Sequence, residues 1–445
     1  MGKYFGTDGV RGAANEDLDV LLAYKIGLAA ADTLSKDKKS KIIIGKDTRI
    51  SGDMFESAIS AGICAAGCDV VLAGIVPTPA VAHLVNVKRY GFDAGVMISA
   101  SHNHAFDNGI KIFGSQGLKL SEELEKQIEH KIDNYTDIKL KTGESIGIVE
   151  RNDELIDKYI EHVAGVGQGL GSCRRILIDC ANGSASHTAG KIFTQADIIH
   201  CDPDGLNINN NCGSTYLDTL IEHVKNGGYD IGLAFDGDAD RCLAVDETGA
   251  LICGDKIICI LAEYLKKDAI AVTKLSNMGL HEFCKLHGIS VEETDVGDRF
   301  VLERMLESNI KLGGEQSGHI IIDLDYAATG DGQLAAMLII NILNDKADRK
   351  ASEIFGAMRV YPQIARNMKV ANEFKQKIMQ DEQVLKSVQD AEHKLNGAGR
   401  VLLRPSGTEP LIRIMLEGEN LEKITEYAKE IEYVICEKLA RLCPD

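Results

Sequence analysis

Three aspartates at alternate positions are the strongest chemical signal in the sequence. Asp236, Asp238 and Asp240 come directly after an apolar run that predicts a buried strand. Carboxylates spaced in this way can turn toward one cation, and hard oxygen ligands select Mg²⁺ or Ca²⁺. An EF-hand would use Glu247 as its last ligand, but it requires glycine where Arg241 stands and helices on both flanks. The pattern therefore predicts a magnesium site for a phosphate ester, with a solvated acidic turn as the plain alternative.

A serine stands at the end of another predicted strand, beside a histidine and within reach of a lysine. Ser101 precedes His102, and Asn108 and Lys111 follow a few residues later. A serine in such a loop can act as a nucleophile or as a phosphate carrier. Polar loops of this kind are also often plain turns that satisfy their own backbone, and the Gly-x-Ser-x-Gly pattern of a nucleophile elbow is absent here. On these residues alone both interpretations stay open.

Four further segments offer groups that could bind a sugar phosphate. Residues 404–410 combine a Ser-Gly-Thr turn with an arginine, and Arg413 follows in the next predicted strand, so the loop could form a phosphate nest or an ordinary hairpin. The glycine-bearing segments 6–12 and 45–52 are similar in kind and could equally be structural turns. The loop at 313–319 presents Glu and Ser side chains between glycines, which suits recognition of sugar hydroxyls or amines.

Length and composition restrict the class of protein. At roughly 100 to 200 residues per domain, 445 residues predict three or four compact units. A hydrophobic fraction of 44% with 26% charged residues is typical of a soluble globular protein. The net charge of -18 argues against a nucleic-acid partner, so local basic groups must attract any anionic substrate. The 12 cysteines include no Cys-x-x-Cys pair, which argues against a zinc cluster and fits a reducing cytosol.

Short β-branched runs alternate with amphipathic stretches along the chain, which predicts an α/β fold with largely buried sheets. No apolar stretch approaches a membrane span, and the N-terminus lacks a signal core, so we expect a cytoplasmic protein. Charge-rich, helix-like segments near Asp153 and Asn367 are the best candidates for domain boundaries. The domains are predicted at 1–152, 153–253, 254–366 and 367–445. The predicted strands are 41–44, 69–72, 95–98, 175–178, 231–235, 269–273, 319–322, 401–403 and 411–416.

Taken together, the loops resemble the α-D-phosphohexomutase superfamily. Five motifs appear in the family's order over nearly the whole chain, and their order is far more specific than any one of them. They are residues 6–12, the phosphoserine loop 99–103, the metal loop 236–241, the sugar loop 314–319 and the phosphate loop 404–408. Gln316 resembles the glucosamine branch, because the phosphomannomutase/phosphoglucomutase branch usually carries Met there. One departure is that His104 and Ala105 stand where relatives have Pro and a bulky residue, which leaves the rigidity of the phosphoserine loop open.

The resemblance implies three similar mixed α/β domains plus a smaller C-terminal α+β domain around a central cleft, and a homodimer. It also implies a role for each motif. Ser101 would be phosphorylated, with Asp236, Asp238 and Asp240 holding Mg²⁺ against its phosphate. Arg241, Lys111 and Arg11 would steady the transferring phosphoryl group, and Lys111 or His319 would exchange a proton with the sugar. Glu315 and Ser317 would hold the sugar, and the other phosphate would be bound by Arg404, Ser406, Gly407, Thr408 and Arg413.

The implied reaction converts glucosamine 6-phosphate to glucosamine 1-phosphate through a 1,6-bisphosphate, for UDP-N-acetylglucosamine biosynthesis. Glucosamine 1,6-bisphosphate or glucose 1,6-bisphosphate would prime the enzyme, and the hexosamine phosphate would be its only partner besides a second copy. The nearest alternative is a phosphomannomutase/phosphoglucomutase of the same superfamily. A magnesium-dependent aspartyl phosphatase or a non-catalytic sugar-phosphate sensor are the alternatives from other classes.

Overall fold

The computed structural model describes residues 2–6, 8–35, 39–167, 174–322, 329–406 and 410–442 of the chain. The chain divides into two compact units. The larger unit comprises Met1–Ser276 and Cys284–Ala357, and the smaller comprises Asn277–Phe283 and Met358–Asp445. The described part of the larger unit contains three mixed sheets, and that of the smaller contains one antiparallel sheet.

The first sheet is built around short isoleucine- and valine-rich strands. The elements in this part of the chain are β1 (Val10–Ala13), α1 (Val20–Leu34), β2 (Lys41–Lys46), α2 (Gly52–Ala65), β3 (Asp69–Ile75), α3 (Thr78–Asn86), β4 (Ala94–Ile98), β5 (Asp107–Phe113), α4 (Glu122–Asp133) and β6 (Val149–Arg151). The sheet order is β1-β5-β4-β2-β3-β6. Ile42, Ile43 and Ile44 of β2 are buried on both faces, as expected for a central parallel strand.

The second sheet follows the same plan with fewer strands. Its elements are α5 (Leu155–Val166), β7 (Ile176–Asp179), α6 (Ala189–Ile192), β8 (Asp197–Ile199), α7 (Asp218–Gly227), β9 (Ile231–Phe235), β10 (Cys242–Asp246) and β11 (Leu251–Ile252). The sheet order is β11-β10-β9-β7-β8, with β7 parallel to β8 and β9. Because β9 and β10 are strands and not helices, the structure excludes the EF-hand alternative for the loop between them.

The third sheet contains four strands in the order β13-β12-β14-β15. Its elements are α8 (Gly254–Tyr264), β12 (Ala269–Thr273), α9 (Met278–His287), β13 (Ser290–Thr294), α10 (Asp298–Glu307), β14 (Leu312–Gly314), β15 (Ile320–Ile322), α11 (Gly332–Asp345) and α12 (Ala351–Phe355). Helix α11 is buried around most of its circumference, which explains why its sequence is apolar on every face. Among the described residues, no helix combines the length and apolarity needed to cross a membrane.

One connection recurs in all three sheets and positions the site. A strand that runs parallel to one neighbour ends in a polar loop, and the chain returns on its other side as an antiparallel strand. The pairs are β4 with β5, β9 with β10, and β14 with β15. The three loops so formed are those that the sequence predicts to carry the serine, the aspartates and the sugar contacts.

Asp331 caps helix α11, and its ionisation should make the stability of the fold depend on pH. Its carboxylate accepts hydrogen bonds from Leu334 N at 2.9 Å and from the Tyr159 hydroxyl at 2.8 Å. Burial raises the pKa of Asp331 to about 6, above the ordinary value of 3.8. Ionisation is therefore more favourable in the unfolded chain, so this carboxyl stabilises the fold below about pH 4 and loses that contribution as the pH rises through about 6.

We expect Asp331→Asn to remove this pH dependence, because the amide keeps an acceptor oxygen but cannot ionise. Relative to the parent protein, the variant should gain about 3 kcal/mol in unfolding free energy between about pH 4 and about pH 7. Urea denaturation at both pH values measures this difference. A constant offset between the two proteins across this range would contradict the assignment.

The smaller unit is an α+β layer. Its elements are β16 (Gln363–Lys369), α13 (Asn372–Met379), α14 (Glu382–Leu395), β17 (Gly399–Pro405), β18 (Leu411–Gly418) and α15 (Leu421–Leu442), with sheet order β16-β18-β17. Ile412, Ile414 and Leu416 alternate along β18 and are buried. They share one core with Ile424 and Ile431, which lie on the same face of α15, about two turns apart.

The predicted fold class is confirmed: three mixed α/β sheets are followed by a smaller α+β unit. Each predicted strand overlaps an observed one. One local prediction was wrong, because Asn367 lies within strand β16 and not in a helix-like segment. This strand pairs only with β18 and buries only Met368 fully, so its sequence lacks the apolar alternation of a strand. The domain boundaries themselves stay predictions.

Candidate active site

The phosphoserine loop places Ser101 directly against the aspartate cluster. Ser101 lies between β4 and β5 and is fully buried, with φ +53°. Non-glycine residues adopt this left-handed conformation at a cost and do so where the surroundings fix it. The Ser101 hydroxyl donates a hydrogen bond to Asp236 Oδ2 at 2.6 Å. The serine and the first aspartate, which are 135 positions apart, thus meet in one site.

Two side chains outside the loop hold its backbone in place. The Arg49 guanidinium is completely buried and donates to the carbonyl oxygens of Ser101, Asn103 and Asp107, each at 2.9 Å, and to that of His104. The Asn209 amide donates to the same Ser101 and Asn103 carbonyls at 2.9 and 3.0 Å. Six hydrogen bonds to four carbonyl oxygens thus hold the loop, which lacks the proline that the family resemblance predicts after Asn103.

Arg49 is itself oriented by an acidic partner. Asp47 Oδ2 accepts from Arg49 Nε at 2.9 Å and from the Ser99 hydroxyl at 2.5 Å. Ser99 Oγ in turn accepts from the backbone N–H of Ser101 at 2.8 Å. The segment 45–52, left open as a possible glycine turn, is therefore the support of the phosphoserine loop.

We expect Arg49→Lys to lower turnover by at least about tenfold with little change in KM, because one ammonium cannot replace the planar fork that reaches several carbonyls. Steady-state kinetics with the hexosamine phosphate that the resemblance implies measures both constants, and mass spectrometry measures any phosphorylated fraction of Ser101. Arg151→Lys is the matched control, since Arg151 is exposed and pairs only with Asp153 in the described residues. An unchanged kcat for Arg49→Lys would contradict a positioning role.

The metal loop brings three buried carboxylates together. Asp236, Asp238 and Asp240 follow β9, and one oxygen of each lies within 4.8 Å of the others. Asp238 Oδ1 and Asp240 Oδ1 are buried and have no hydrogen-bond partner in the described part of the chain. Gly237 allows the close approach of the two loops, because a Cβ there would lie 2.6 Å from the Ser101 carbonyl oxygen. Buried anionic oxygens with free lone pairs fit a hard divalent cation.

The ionisation of the cluster supports the same conclusion. Burial and the carboxylates of Asp240 and Asp238 raise the pKa of Asp236 well above its usual range. Burial would also raise the pKa of Asp240, but the charges of Lys111 and Arg241 hold it below its ordinary value. Carboxylates that disfavour each other's ionisation are stabilised together by a shared cation.

Lys111 is buried in the middle of the acidic groups. Its ammonium lies 2.8 Å from Asp238 Oδ2, 3.1 Å from Asp240 Oδ2 and 3.0 Å from Asp8 Oδ2. Burial alone would lower the pKa of Lys111, but these carboxylates hold it well above its usual value. Lys111 is therefore a fixed positive charge at the aspartate cluster.

Two arginines complete the basic groups near the serine. Arg11 forms an ion pair with Asp8, and its Nε is buried without a hydrogen-bond partner among the described residues. Arg241 Nε is likewise unbonded there, at 4.0 Å from Asp236 Oδ2 and 3.9 Å from Asp240 Oδ1. Guanidinium groups with unused donors suit the oxygens of a phosphoryl group.

The sugar loop is joined to the metal loop through its backbone. Arg241 and His319 form an antiparallel bridge, and Cys242 N donates to Gly318 O at 3.0 Å. His319 Nε2 accepts from Gly330 N at 3.2 Å and lies 3.5 Å from Asp298 Oδ2, while its Nδ1 is buried with no partner in the described residues.

The two predicted sugar contacts lie in the same loop. Ser317 Oγ donates to Glu315 Oε2 at 3.5 Å. Burial raises the pKa of Glu315 above its ordinary value. His319 follows in the same loop, and its backbone pairs with that of Arg241 in the metal loop.

The predicted phosphate loop belongs to the smaller unit. Arg404 on β17 and Arg413 on β18 are paired across the sheet, and Ser406 N donates to Leu411 O at 2.8 Å. Lys375 Nζ donates to the Ser406 carbonyl at 2.7 Å. The last two predicted residues of the loop, Gly407 and Thr408, lie outside the described residues.

Several site residues were missed by sequence reasoning. His102 Nδ1 lies 3.3 Å from Ser101 Oγ, and burial with the charges of Arg241 and Arg11 lowers the pKa of His102 to about 4. Its imidazole is therefore neutral at neutral pH. Lys119, another missed residue, forms ion pairs with both Asp8 and Asp298. For these two residues, the only signal in the sequence is the position of His102 next to Ser101.

Models of known protein families match four consecutive segments of the chain. Phosphoglucomutase/phosphomannomutase models for alpha/beta/alpha domains I, II and III match residues 2–139, 157–249 and 253–361, and the C-terminal domain model matches 366–433. The chain belongs to the phosphoglucomutase/phosphomannomutase family. The predicted resemblance to the α-D-phosphohexomutase superfamily is thereby confirmed.

Relatives of this family cover the chain from end to end. The phosphoglucosamine mutase of Caldicellulosiruptor saccharolyticus is 48% identical over 455 residues, covering 99% of this chain and 100% of the relative. That of Clostridium beijerinckii is 46% identical over 450 residues, covering 98% and 100%.

Solved structures of the family share the fold. A phosphoglucomutase/phosphomannomutase family protein from Burkholderia thailandensis has a TM-score of 0.80 at 22% identity, covering 96% of this chain and 97% of its own. The Aspergillus fumigatus N-acetylphosphoglucosamine mutase, in complex with GlcNAc-6P and magnesium, has a TM-score of 0.67 at 18% identity, covering 97% and 95%. At these identities the likeness concerns the fold.

Proposed function

We propose that the protein is a phosphoglucosamine mutase that interconverts glucosamine 6-phosphate and glucosamine 1-phosphate. The observation that carries the proposal is the 2.6 Å contact between the Ser101 hydroxyl and Asp236 of the acidic cluster. A phosphate on Ser101 would thus lie beside carboxylates with free oxygens and beside fixed basic groups. The relatives that are 46 to 48% identical over the whole chain carry this activity in their names.

The chemistry asks mainly for positioning and charge stabilisation. A sugar hydroxyl oxygen attacks the phosphorus of phospho-Ser101, the bond from phosphorus to Ser101 Oγ breaks, and a 1,6-bisphosphate forms. The sugar hydroxyl gives its proton to His319, and Ser101 Oγ takes up a proton from the Lys111 ammonium as it is released. Lys111, Arg11 and Arg241 neutralise the charge on the transferring group. After the bisphosphate reorients, its other phosphate returns to Ser101.

The residues present fit a magnesium ion. Asp236, Asp238 and Asp240 would hold it together with the phosphate oxygen of Ser101, and when bound it supplies positive charge to the transferring phosphoryl group. A magnesium complex of the fungal relative supports the choice of metal. A fungal N-acetylphosphoglucosamine mutase was also solved with glucose 1,6-bisphosphate, which supports this compound, or glucosamine 1,6-bisphosphate, as the primer.

The remaining contacts serve the substrate. Glu315 and Ser317 bind the sugar in this proposal. Gln316 of the same loop donates to Asp255 Oδ2 at 3.3 Å and marks the glucosamine branch by resemblance. The phosphate that does not react is bound by Arg404, Ser406, Gly407, Thr408 and Arg413.

We further propose that the enzyme works in the cytoplasm as a homodimer, without a nucleic-acid or membrane partner, and supplies UDP-N-acetylglucosamine biosynthesis. The acidic net charge of -18 supports the absence of nucleic acid. The dimer follows from the family resemblance, and size-exclusion chromatography with light scattering measures it.

The deciding experiment is an isomerisation assay with glucosamine 6-phosphate, magnesium and a trace of bisphosphate primer. We expect turnover of glucosamine 6-phosphate well above that of mannose and glucose phosphates. Faster turnover of mannose or glucose phosphates would instead establish a phosphomannomutase/phosphoglucomutase. Release of inorganic phosphate with an aspartyl-phosphate peptide would indicate a phosphatase, and ligand binding without phospho-Ser101 or turnover would indicate a sensor.

A further inference from the structure

A second group of metal-ligating side chains lies in the second sheet, apart from the three-aspartate cluster. Asp179 ends β7, His200 follows β8, and Cys212 lies in the loop that leads toward α7. One ligand atom of each lies within 4.8 Å of the others. Carboxylate, imidazole and thiolate together are the ligand set of a borderline-soft cation such as Zn²⁺, whereas the other cluster offers oxygen only.

The contact between Asp179 and His200 has the geometry of two ligands that share an ion. His200 Nδ1 is buried and lies 3.0 Å from Asp179 Oδ2, yet the pair is not aligned for a hydrogen bond. Two ligand atoms about 2.0 Å from a tetrahedral ion are separated by about 3.3 Å and point toward the ion, not toward each other. The short distance with poor alignment fits this arrangement.

Asp179 and Cys212 are already held as metal ligands usually are. Asp179 Oδ1 accepts from Ala181 N and Oδ2 accepts from Gly213 N, both at 2.9 Å. The Asn182 amide lies 3.9 Å from Cys212 Sγ as a hydrogen-bond donor. Outer hydrogen bonds of this kind fix the direction of ligands and are a regular part of metal sites.

The same three residue types could instead form a nucleophilic triad, but the thiol does not suit that role. Cys212 is fully buried, so a substrate does not reach its thiol for attack. Binding of a soft cation would displace the thiol proton directly. A buried cysteine therefore fits the role of a metal ligand and does not fit the role of a nucleophile.

We propose that Asp179, His200 and Cys212 bind one borderline-soft divalent cation, of the class of Zn²⁺, with a fourth position open to solvent beside His200. The His200 side chain is 27% exposed, which provides the entry path. The ion would join three loops of the second domain, one of which also carries Asn209, the residue that holds the Ser101 carbonyl. The proposal does not depend on the mutase function.

Co²⁺ titration of the metal-free full-length protein tests the site, in excess Mg²⁺ so that the three-aspartate cluster is occupied. Cobalt bound to a thiolate gives a charge-transfer absorption band, whereas oxygen-only ligands give none. We expect a saturable band that Zn²⁺ abolishes. Cys212→Ser should abolish the band, and His200→Gln should weaken Co²⁺ binding by at least about tenfold. Cys201→Ser is the matched control, since Cys201 is an exposed thiol next to His200, and it should leave the band unchanged.

The outcomes separate the proposal from its alternatives. No band, or a band that survives Cys212→Ser, would overturn the site and leave a protonated His200 attracted to Asp179 as the explanation of the contact. Circular dichroism checks that each variant is folded, and His200→Gln gives an independent answer where Cys212→Ser does not fold. The Ser101→Ala variant should show the same band, so a failed mutase assay and a failed metal titration are distinguishable.

Discussion

Ser101→Ala abolishes mutase turnover, by at least about 10³-fold, while the fold stays intact. The hydroxyl is the only group placed to carry a phosphate at the aspartate cluster in this proposal, and its removal leaves no acceptor for the returning phosphoryl group. The measurement is the isomerisation of glucosamine 6-phosphate with bisphosphate primer, together with intact mass, which should show no phosphorylated form. Substantial residual activity would exclude the carrier role.

A buried serine elsewhere in the same unit provides the control for this change. Ser184 is fully buried, and its hydroxyl makes no hydrogen bond among the described residues. Ser184→Ala therefore removes the same atom without removing a proposed reacting group, and we expect turnover within about twofold of the parent. Comparable losses in both variants would show that burial of serine, and not phosphate transfer, explains the effect.

Asp238→Asn weakens magnesium binding and turnover together. Asp238 Oδ2 accepts from Lys111 and from the Thr78 hydroxyl, while Oδ1 is left for the metal. The amide has one weak acceptor oxygen and no charge, so the cation loses a ligand and Lys111 loses one of its three carboxylate partners. We expect a Kd for Mg²⁺ at least about tenfold higher and a kcat/KM about 100-fold lower.

Asp246→Asn is the matched control, because Asp246 ends the strand that follows the metal loop and is also buried. Its carboxylate accepts from the backbone and side chain of Thr248, so this change tests a structural aspartate in the same hairpin. Calorimetric titration with Mg²⁺ and activity over a range of magnesium concentrations compare the two. Unchanged magnesium dependence of Asp238→Asn would remove the cluster from the mechanism.

The positions of the reactive loops could be predicted because their signal is local. Each loop is polar and follows a short buried run without charged residues, as at Ile98 before Ser101 and Phe235 before Asp236. In sheets of this class ligands bind beyond the carboxyl ends of the strands, so the end of a strand predicts the place of the chemistry. The order of the motifs then identified the family.

The supports of the site could not be predicted in the same way. Arg49 and Asn209 bind backbone carbonyls of the phosphoserine loop, and a carbonyl carries no sequence signal. Lys119 and Asp298 are charged residues that pair across 179 positions of the chain. The ligand group of Asp179, His200 and Cys212 lacks the close spacing of a zinc motif, so only the fold brings it together.

The recurring hairpin, in which a strand with one parallel neighbour turns back as an antiparallel strand, distributes the proposed site residues over three sheets. In the proposed function, the phosphate carrier, the cation ligands and the sugar contacts each lie in one of these three loops, so no fragment shorter than the stretch from Ser101 to His319 contains all of them. During synthesis on the ribosome the enzyme therefore stays inert until the third loop has emerged and folded.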